Sequence, residues 1–431
     1  MASALFLLIL FFSLMIIGAP LYVSLLFTGI AGVFSTGGVG LLRVVPQQFF
    51  GGMDVFSLMA IPFFIMTGIM MNKSGLTDRL IELSRLLVGS VRGGLGYVNV
   101  VSGIILAGVN GSAAADASAL SSILIPAMVK EGFPRPYAAG LTAGSSLIGP
   151  IIPPSIFMII YASMTNTSVG GLFAAGILPG IVLGGAFMAM NAWFSVRHNV
   201  PKADARDVRS RAREILLSSI PSLIAPFIII GGIVTGVVTP TESGALAVAY
   251  CVAAGFFWTR ELSPKDLWDG LYETVRLTSA IFLIMGAATV VGWYLKWERV
   301  TWHLSVLIEQ AGLIERPWTL MIVLSAVIFL IGMFMEEVAV LTLLTPIFAP
   351  LAMKAGIDPF HFGIVMTLNV TIALITPPVG ACNYIVAAVG NVPIGKLFRA
   401  IWPFIAVALA VLLCIISFPW ITVSLPRILG L

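Results

Sequence analysis

The chain has 431 residues, of which 59% are apolar and only 10% charged, with a net charge of +4 and a mean hydropathy of +1.06. A soluble domain carries roughly 25% charged and 45–50% apolar residues, so a chain this poor in charge cannot cover a water-facing surface. It reads as an integral membrane protein, and disordered, nucleic-acid-binding, collagenous and disulfide-rich secreted classes are excluded.

From Met1 to Leu42 there is no charged residue. The basic start of a cleavable signal peptide is missing, and the stretch reads as a spanning segment broken around Gly18 and Pro20. Scaffold helices are expected over 1–72. A polar segment follows at 73–92, net +2, with Lys73, Asp78, Arg79, Glu82, Arg85 and Arg92 around a leucine-rich face. It reads as an amphipathic arm lying along the membrane surface.

Over 93–196 the apolar runs are too short or too long for one span of about 20 residues. Gly108, Asn110, Gly111, Ser112 and Asp116 interrupt one of them. Small residues there suit a re-entrant hairpin, and glycine lets carbonyls leave helical geometry to meet a cation. Farther on, Ser145, Ser146, Gly149, Pro150, Pro153 and Pro154 cannot sit in an unbroken helix. In lipid, freed backbone groups are tolerated only where protein, water or an ion satisfies them.

The linker 197–214 has six basic and three acidic residues and is cytoplasmic by the positive-inside rule. Scaffold helices are expected again over 215–295. Within them Thr239 or Thr241 suits an N-cap, with Pro240 and Glu242 in a structural role at the helix start. A second arm, 296–316, is net neutral and reads as lying on the other side of the membrane. Beyond it, 317–395 holds Gly332, the adjacent carboxylates Glu336 and Glu337, and a second break at Asn369, Thr371, Thr376, Pro377 and Pro378. A carboxylate at bilayer depth is a functional candidate. It can bind a cation, face an aqueous cavity or pair with a helix end. The rest, 396–431, reads as a C-terminal helix.

A shift of 224 residues aligns Gly108 with Gly332, Pro126 with Pro350, Lys130 with Lys354, Gly132 with Gly356, and Pro153-Pro154 with Pro377-Pro378. This is an internal repeat. With one arm on each side the repeats are inverted, which places substrate and ion near the midplane, at the breaks. The fold class is an all-α polytopic membrane protein with inverted repeats, re-entrant hairpins and broken helices. Cys251, Cys382 and Cys414 have no metal or disulfide spacing, and no nucleotide-binding, HExxH or GxSxG motif occurs. Any work must therefore draw on an ion gradient or a partner. Oxygen-rich breaks suit sodium.

The Asn-Gly-Ser-Ala hairpin at 110–113, Leu-Ile-Gly-Pro-Ile-Ile-Pro-Pro-Ser at 147–155, Gly-Val-Val-Thr-Pro-Thr-Glu-Ser at 236–243, Gly-Met-Phe-Met-Glu at 332–336 and Ile-Thr-Pro-Pro-Val-Gly-Ala at 375–381 follow one another in a familiar order. The chain resembles the large membrane subunit of a tripartite ATP-independent periplasmic (TRAP) transporter over nearly its whole length. It departs from the usual Ser-Gly-Ser hairpin at Asn110.

The resemblance implies an elevator-type, sodium-driven importer in the bacterial inner membrane and not an enzyme. It implies a small four-helix membrane subunit and a periplasmic binding protein that delivers a small organic acid such as a sialic acid or dicarboxylate. One sodium site would draw on Asn110, Gly111, Ser112, Ser145, Ser146 and Gly149, the other on Gly332, Glu336, Asn369, Thr371 and Thr376. Substrate is expected at Ser112, Asp116, Pro153, Pro154, Glu337, Pro377 and Pro378. The competing readings are a stand-alone carboxylate symporter or antiporter and a membrane-embedded enzyme.

Overall fold

The computed structural model describes residues 2–202 and 210–431, so the middle of the polar linker lies outside the described residues. Among the described residues every regular element is a helix, and one isolated bridge pairs Arg92 with Lys202. Among the described residues eight helices are long and apolar enough to cross a membrane. Large apolar side chains such as Ile16, Phe227 and Phe257 point outward, 77–85% exposed, as lipid-facing or partner-facing residues do.

The helices of the first half are α1 (Ala2–Ile16), α2 (Leu21–Leu41), α3 (Val44–Gly51), α4 (Ala60–Lys73), α5 (Leu76–Val88), α6 (Gly94–Asn110), α7 (Ala113–Lys130), α8 (Arg135–Ser146), α9 (Ile156–Thr165) and α10 (Val169–Arg197). Those of the second half are α11 (Ala212–Val234), α12 (Pro240–Ala253), α13 (Pro264–Trp297), α14 (Val300–Gln310), α15 (Pro317–Gly332), α16 (Glu337–Lys354), α17 (Pro359–Ala373), α18 (Ala381–Val389), α19 (Ile394–Ser417) and α20 (Trp420–Ile428). The break near Gly18 and Pro20 separates α1 from α2. Residues 396–431 form two helices rather than one. Phe418 leaves helical geometry ahead of Pro419 (φ −125°, ψ 75°), as a residue before proline tends to.

The repeat is visible in helix ends. Helices α7 and α16 begin and end 224 residues apart, and so do the starts of α5 and α14 and of α8 and α17. Helix α19 stands where the register places the counterpart of α10. Helices of the two halves pack on one another: α2 lies on α13, and α4 on α12.

Hydrogen bonds fix the relative direction of the two broken helices. Gly93 N donates to Pro201 O, and Tyr137 stacks on Phe194 with ring centroids 3.4 Å apart. The starts of α6 and α8 therefore share a face with the end of α10; this is the linker face. Arg135, at the start of α8, donates to Gly390 O just past α18. Tyr161, near the end of α9, donates to Pro359 O at the start of α17. So α8–α9 runs from the linker face to the opposite face, and α17–α18 runs back. The repeats are inverted.

The arms lie on opposite faces. Arg79 of α5 bridges Glu261 beside the start of α13, at 3.1 Å. Helix α14 follows the far end of α13, where Glu309 pairs with Lys354 at the end of α16. Arg85 of α5 lies near Glu131 just past α7, so each arm brings a charge to the base of its hairpin opposite one of the other sign.

Candidate functional site

Each hairpin tip meets the break of its own repeat. Gly111 ends α6 with φ +57°, ψ 15°, left-handed geometry that a side chain disfavours. A Cβ there would lie 2.4 Å from Pro154 O, so the tip touches the first break by backbone alone. At Gly149 a Cβ would lie 2.3 Å from Asp116 Oδ2, which brings the hairpin carboxylate onto the same break. In the second repeat a Cβ on Gly332 would lie 2.9 Å from Ala373 Cβ. The two breaks also meet each other: the Cys382 thiol, one residue into α18, reaches Ser146. The peptide bonds Pro153–Pro154 and Pro377–Pro378 are both cis.

The buried hydroxyls of the breaks have spent their protons. Ser145 Oγ donates to Leu141 O (2.8 Å), Ser146 Oγ to Ala143 O (2.8 Å), Thr371 Oγ1 to Thr367 O (2.6 Å) and Thr376 Oγ1 to Ile372 O (2.9 Å). Each oxygen keeps lone pairs that can only accept. Asn369 donates Nδ2 to Ser325 Oγ and Val365 O, and its buried Oδ1 meets no donor among the described residues. Asn383 donates to Ile375 O at 2.6 Å and likewise keeps a buried, unmatched Oδ1. Among the described residues no cluster of three His, Cys, Asp or Glu side chains could hold a metal. What the breaks offer is neutral oxygen, the ligand type of hard cations.

Two ties escaped sequence reasoning. Asn99 of α6 donates to Thr142 of α8 at 2.7 Å, and Asn369 of α17 donates to Ser325 of α15 at 3.1 Å. One buried amide thus fastens each hairpin to its broken helix. The available signal was isolated polar residues, Asn99 and Ser102, inside an apolar run.

A cavity of about 620 Å³ separates hairpin tips from scaffold. Gly111, Ser112, Ser118 and Ser122 line one wall, α4 and α13 the other, and Glu336 and Glu337 the deep end. Asn72, Thr77, Asp78 and Glu273 carry it toward the linker face. Among the described residues the wall holds four carboxylates and no basic side chain.

Several expected contacts fall elsewhere. Asp116, Pro153 and Pro154 are buried behind the tip, and neither they nor Pro377 and Pro378 belong to the cavity wall. Packing against the first break takes Asp116, Pro153 and Pro154 out of reach of a solute, whereas Pro377 is half-buried and Pro378 exposed away from the cavity. Glu336, expected among the ion ligands, instead caps its own helix: Oε2 accepts from Val338 N (3.1 Å) and Ala339 N (3.4 Å), so the bare helix start claims the carboxylate. The counterpart Ser112 makes no such cap bond. Asn110 closes α6, and its side chain lies outside what is described. Away from the site, Thr239 and Glu242 form a reciprocal capping box at the start of α12, with Pro240 in the first turn.

Inverted broken helices with oxygen-lined breaks beside one cavity narrow the families to compare. The model of the DctM component of tripartite ATP-independent periplasmic transporters matches residues 8–421. The chain belongs to this family. It is 36% identical to the sialic acid TRAP transporter large permease protein SiaM of Vibrio cholerae, with 96% of each chain covered. It is also 36% identical to the C4-dicarboxylate TRAP transporter large permease protein DctM of Pseudomonas aeruginosa (90% and 91% covered) and to the 2,3-diketo-L-gulonate TRAP transporter large permease protein YiaN of Escherichia coli (94% of each). The solved Alcanivorax borkumensis YdaH transporter, described as having an unusual topology, matches with TM-score 0.63 over 90% of each chain at 16% identity, a likeness of fold alone. As a DctM component the chain is a multi-pass transporter permease and not an enzyme.

Proposed function

We propose that this DctM component imports a small organic acid across the bacterial inner membrane, driven by sodium and fed by a periplasmic binding protein. A small four-helix membrane subunit completes the assembly. The linker face is cytoplasmic by the positive-inside rule, because Arg79, Arg85, Arg92, Arg135, Arg197 and Lys202 gather there. The cavity then opens inward, and an elevator movement of hairpins and broken helices against α2, α4, α12 and α13 would open it to the other side.

One observation carries the reading. The relatives are named for sialic acid, 2,3-diketo-L-gulonate and C4-dicarboxylates, all organic acids, yet among the described residues the cavity wall is acidic without a single basic side chain. An anion binds such a wall only when its charge is offset. Sodium at the neutral oxygens of the breaks, with the uncapped start of α7 at Ser112, supplies that offset. Ion and substrate then raise each other's affinity reciprocally, which is coupling without direct contact. The ion sites are assigned to Gly111, Ser112, Ser145, Ser146 and Gly149 in the first repeat. In the second they draw on Asn369, Thr371 and Thr376.

The test is uptake into proteoliposomes holding this chain and its small subunit, with purified binding protein outside. Uptake should follow an inward sodium gradient without ATP. Equal uptake with potassium in place of sodium overturns the coupling. Full uptake by this chain alone, without binding protein, favours the stand-alone symporter instead.

A further inference from the structure

Helices α10 and α19 pack side by side and run antiparallel, and a groove of about 590 Å³ opens sideways between them. Val182, Met190 and Trp193 line it from α10, and Pro403, Val407 and Cys414 from α19. The eleven steps from Val182 to Trp193 rise about 16 Å, half of a bilayer core about 30 Å thick, so the groove spans one leaflet. Its lining is apolar throughout, which suits extended hydrocarbon chain.

The linker-face end of the groove is basic. The Arg197 guanidinium lies over the Trp193 ring, 5.3 Å from its centroid. A further apolar pocket of about 430 Å³ adjoins it, lined by these two residues with Ala192 and Val196. On α19 the stripe through Cys414, Val407 and Pro403 continues at helical spacing to Arg399 and Lys396, both exposed. Among the described residues no carboxylate pairs with Arg197, Arg399 or Lys396 within 4.0 Å. A Trp at headgroup depth beside unpaired cations at the mouth of an apolar slot is complementary to a phosphodiester carrying acyl chains.

The geometry points to a binding site for one anionic phospholipid of the linker-face leaflet, its acyl chain between α10 and α19 and its phosphate at Arg197 and Arg399. The full-length chain, with any subunit that co-purifies, is delipidated and reloaded with equal amounts of phosphatidylglycerol and phosphatidylethanolamine of the same chains. Retained lipid is then counted by native mass spectrometry. Wild type should keep one phosphatidylglycerol in preference by about five-fold or more. Arg197→Gln with Arg399→Gln should lose the preference yet still retain lipid. Ala410→Trp, which fills the groove and leaves the cations in place, should lose the retained lipid. Unchanged phosphatidylglycerol retention in both variants means annular lipid only and overturns the site. Loss of the lipid whenever the small subunit is present assigns the groove to that subunit and also overturns it. The readout is lipid mass, so it is independent of whether sodium drives transport.

Discussion

The hairpin tip can be tested at one atom. Gly111→Ala places a methyl 2.4 Å from Pro154 O, and the nearest atoms are backbone that has no rotamer to give. Restoring an ordinary contact near 3.0 Å or beyond moves the tip away from the break by at least about 0.6 Å, an overpacking that costs about 1–3 kcal/mol. Left-handed geometry at a non-glycine residue adds about 1–2 kcal/mol, but that term acts on stability with or without ion. The overpacking falls on the contact that the ion is proposed to bridge. At 1.4 kcal/mol per decade it raises the half-saturating sodium concentration roughly 5- to 150-fold. Gly356→Ala is the control. Its φ is +77° and nothing lies within 4 Å of the added methyl, so it carries the left-handed cost alone, in the turn after α16. The assay is the sodium dependence of uptake at matched expression. Gly111→Ala should shift the curve and Gly356→Ala should leave it in place. Coincident curves for both variants and wild type would remove the hairpin tip from the ion site.

Ser145→Ala, Asn369→Ala and Thr376→Ala each delete one oxygen whose accepting capacity is open, so each should raise the half-saturating sodium concentration, with uptake partly recovering at high sodium; three unshifted curves would make the breaks hinges only. Lys354→Glu should weaken the hold of α14 on the second hairpin and slow uptake, and adding Glu309→Lys should restore it; a double-mutant cycle on uptake rate reads the coupling, and zero coupling removes the pair from the mechanism. Thr239→Ala breaks the capping box at the start of α12, so detergent-solubilised protein should lose about 1 kcal/mol of stability while its sodium dependence stays that of wild type.

The repeat was legible because its markers are residues with backbone consequences. Proline, glycine and the Pro-Pro pairs recur at one offset: Gly132 and Gly356 follow the ends of α7 and α16, and the Pro-Pro pairs lie in the breaks ahead of α9 and α18. Direction was legible too, from the unequal charge of the two arms. What composition could not reveal is which way a side chain turns. Asp116 and Ser112 lie four residues apart in one small-residue stretch, yet Ser112 lines the cavity and Asp116 is buried against Gly149. Glu336 kept three roles open until the first turn of α16 was placed, because a cap is defined by backbone N–H groups that no sequence pattern orients. The ties from Asn99 to Thr142 and from Asn369 to Ser325 join residues 43 and 44 positions apart, in helices whose facing sides are equally apolar in sequence. The division of 396–431 into α19 and α20 was available from Phe418-Pro419, where the chain before proline avoids the helix.

The proposed coupling rests on sodium bound at the breaks offsetting the charge of an organic acid held against an acidic wall. It is tested most directly by following labelled organic acid and radioactive sodium into the same proteoliposomes, with binding protein outside and the membrane potential clamped. Both should enter together in a fixed ratio, and Asn369→Ala and Ser145→Ala should slow both fluxes in parallel. Acid entering at full rate with no accompanying sodium would contradict it.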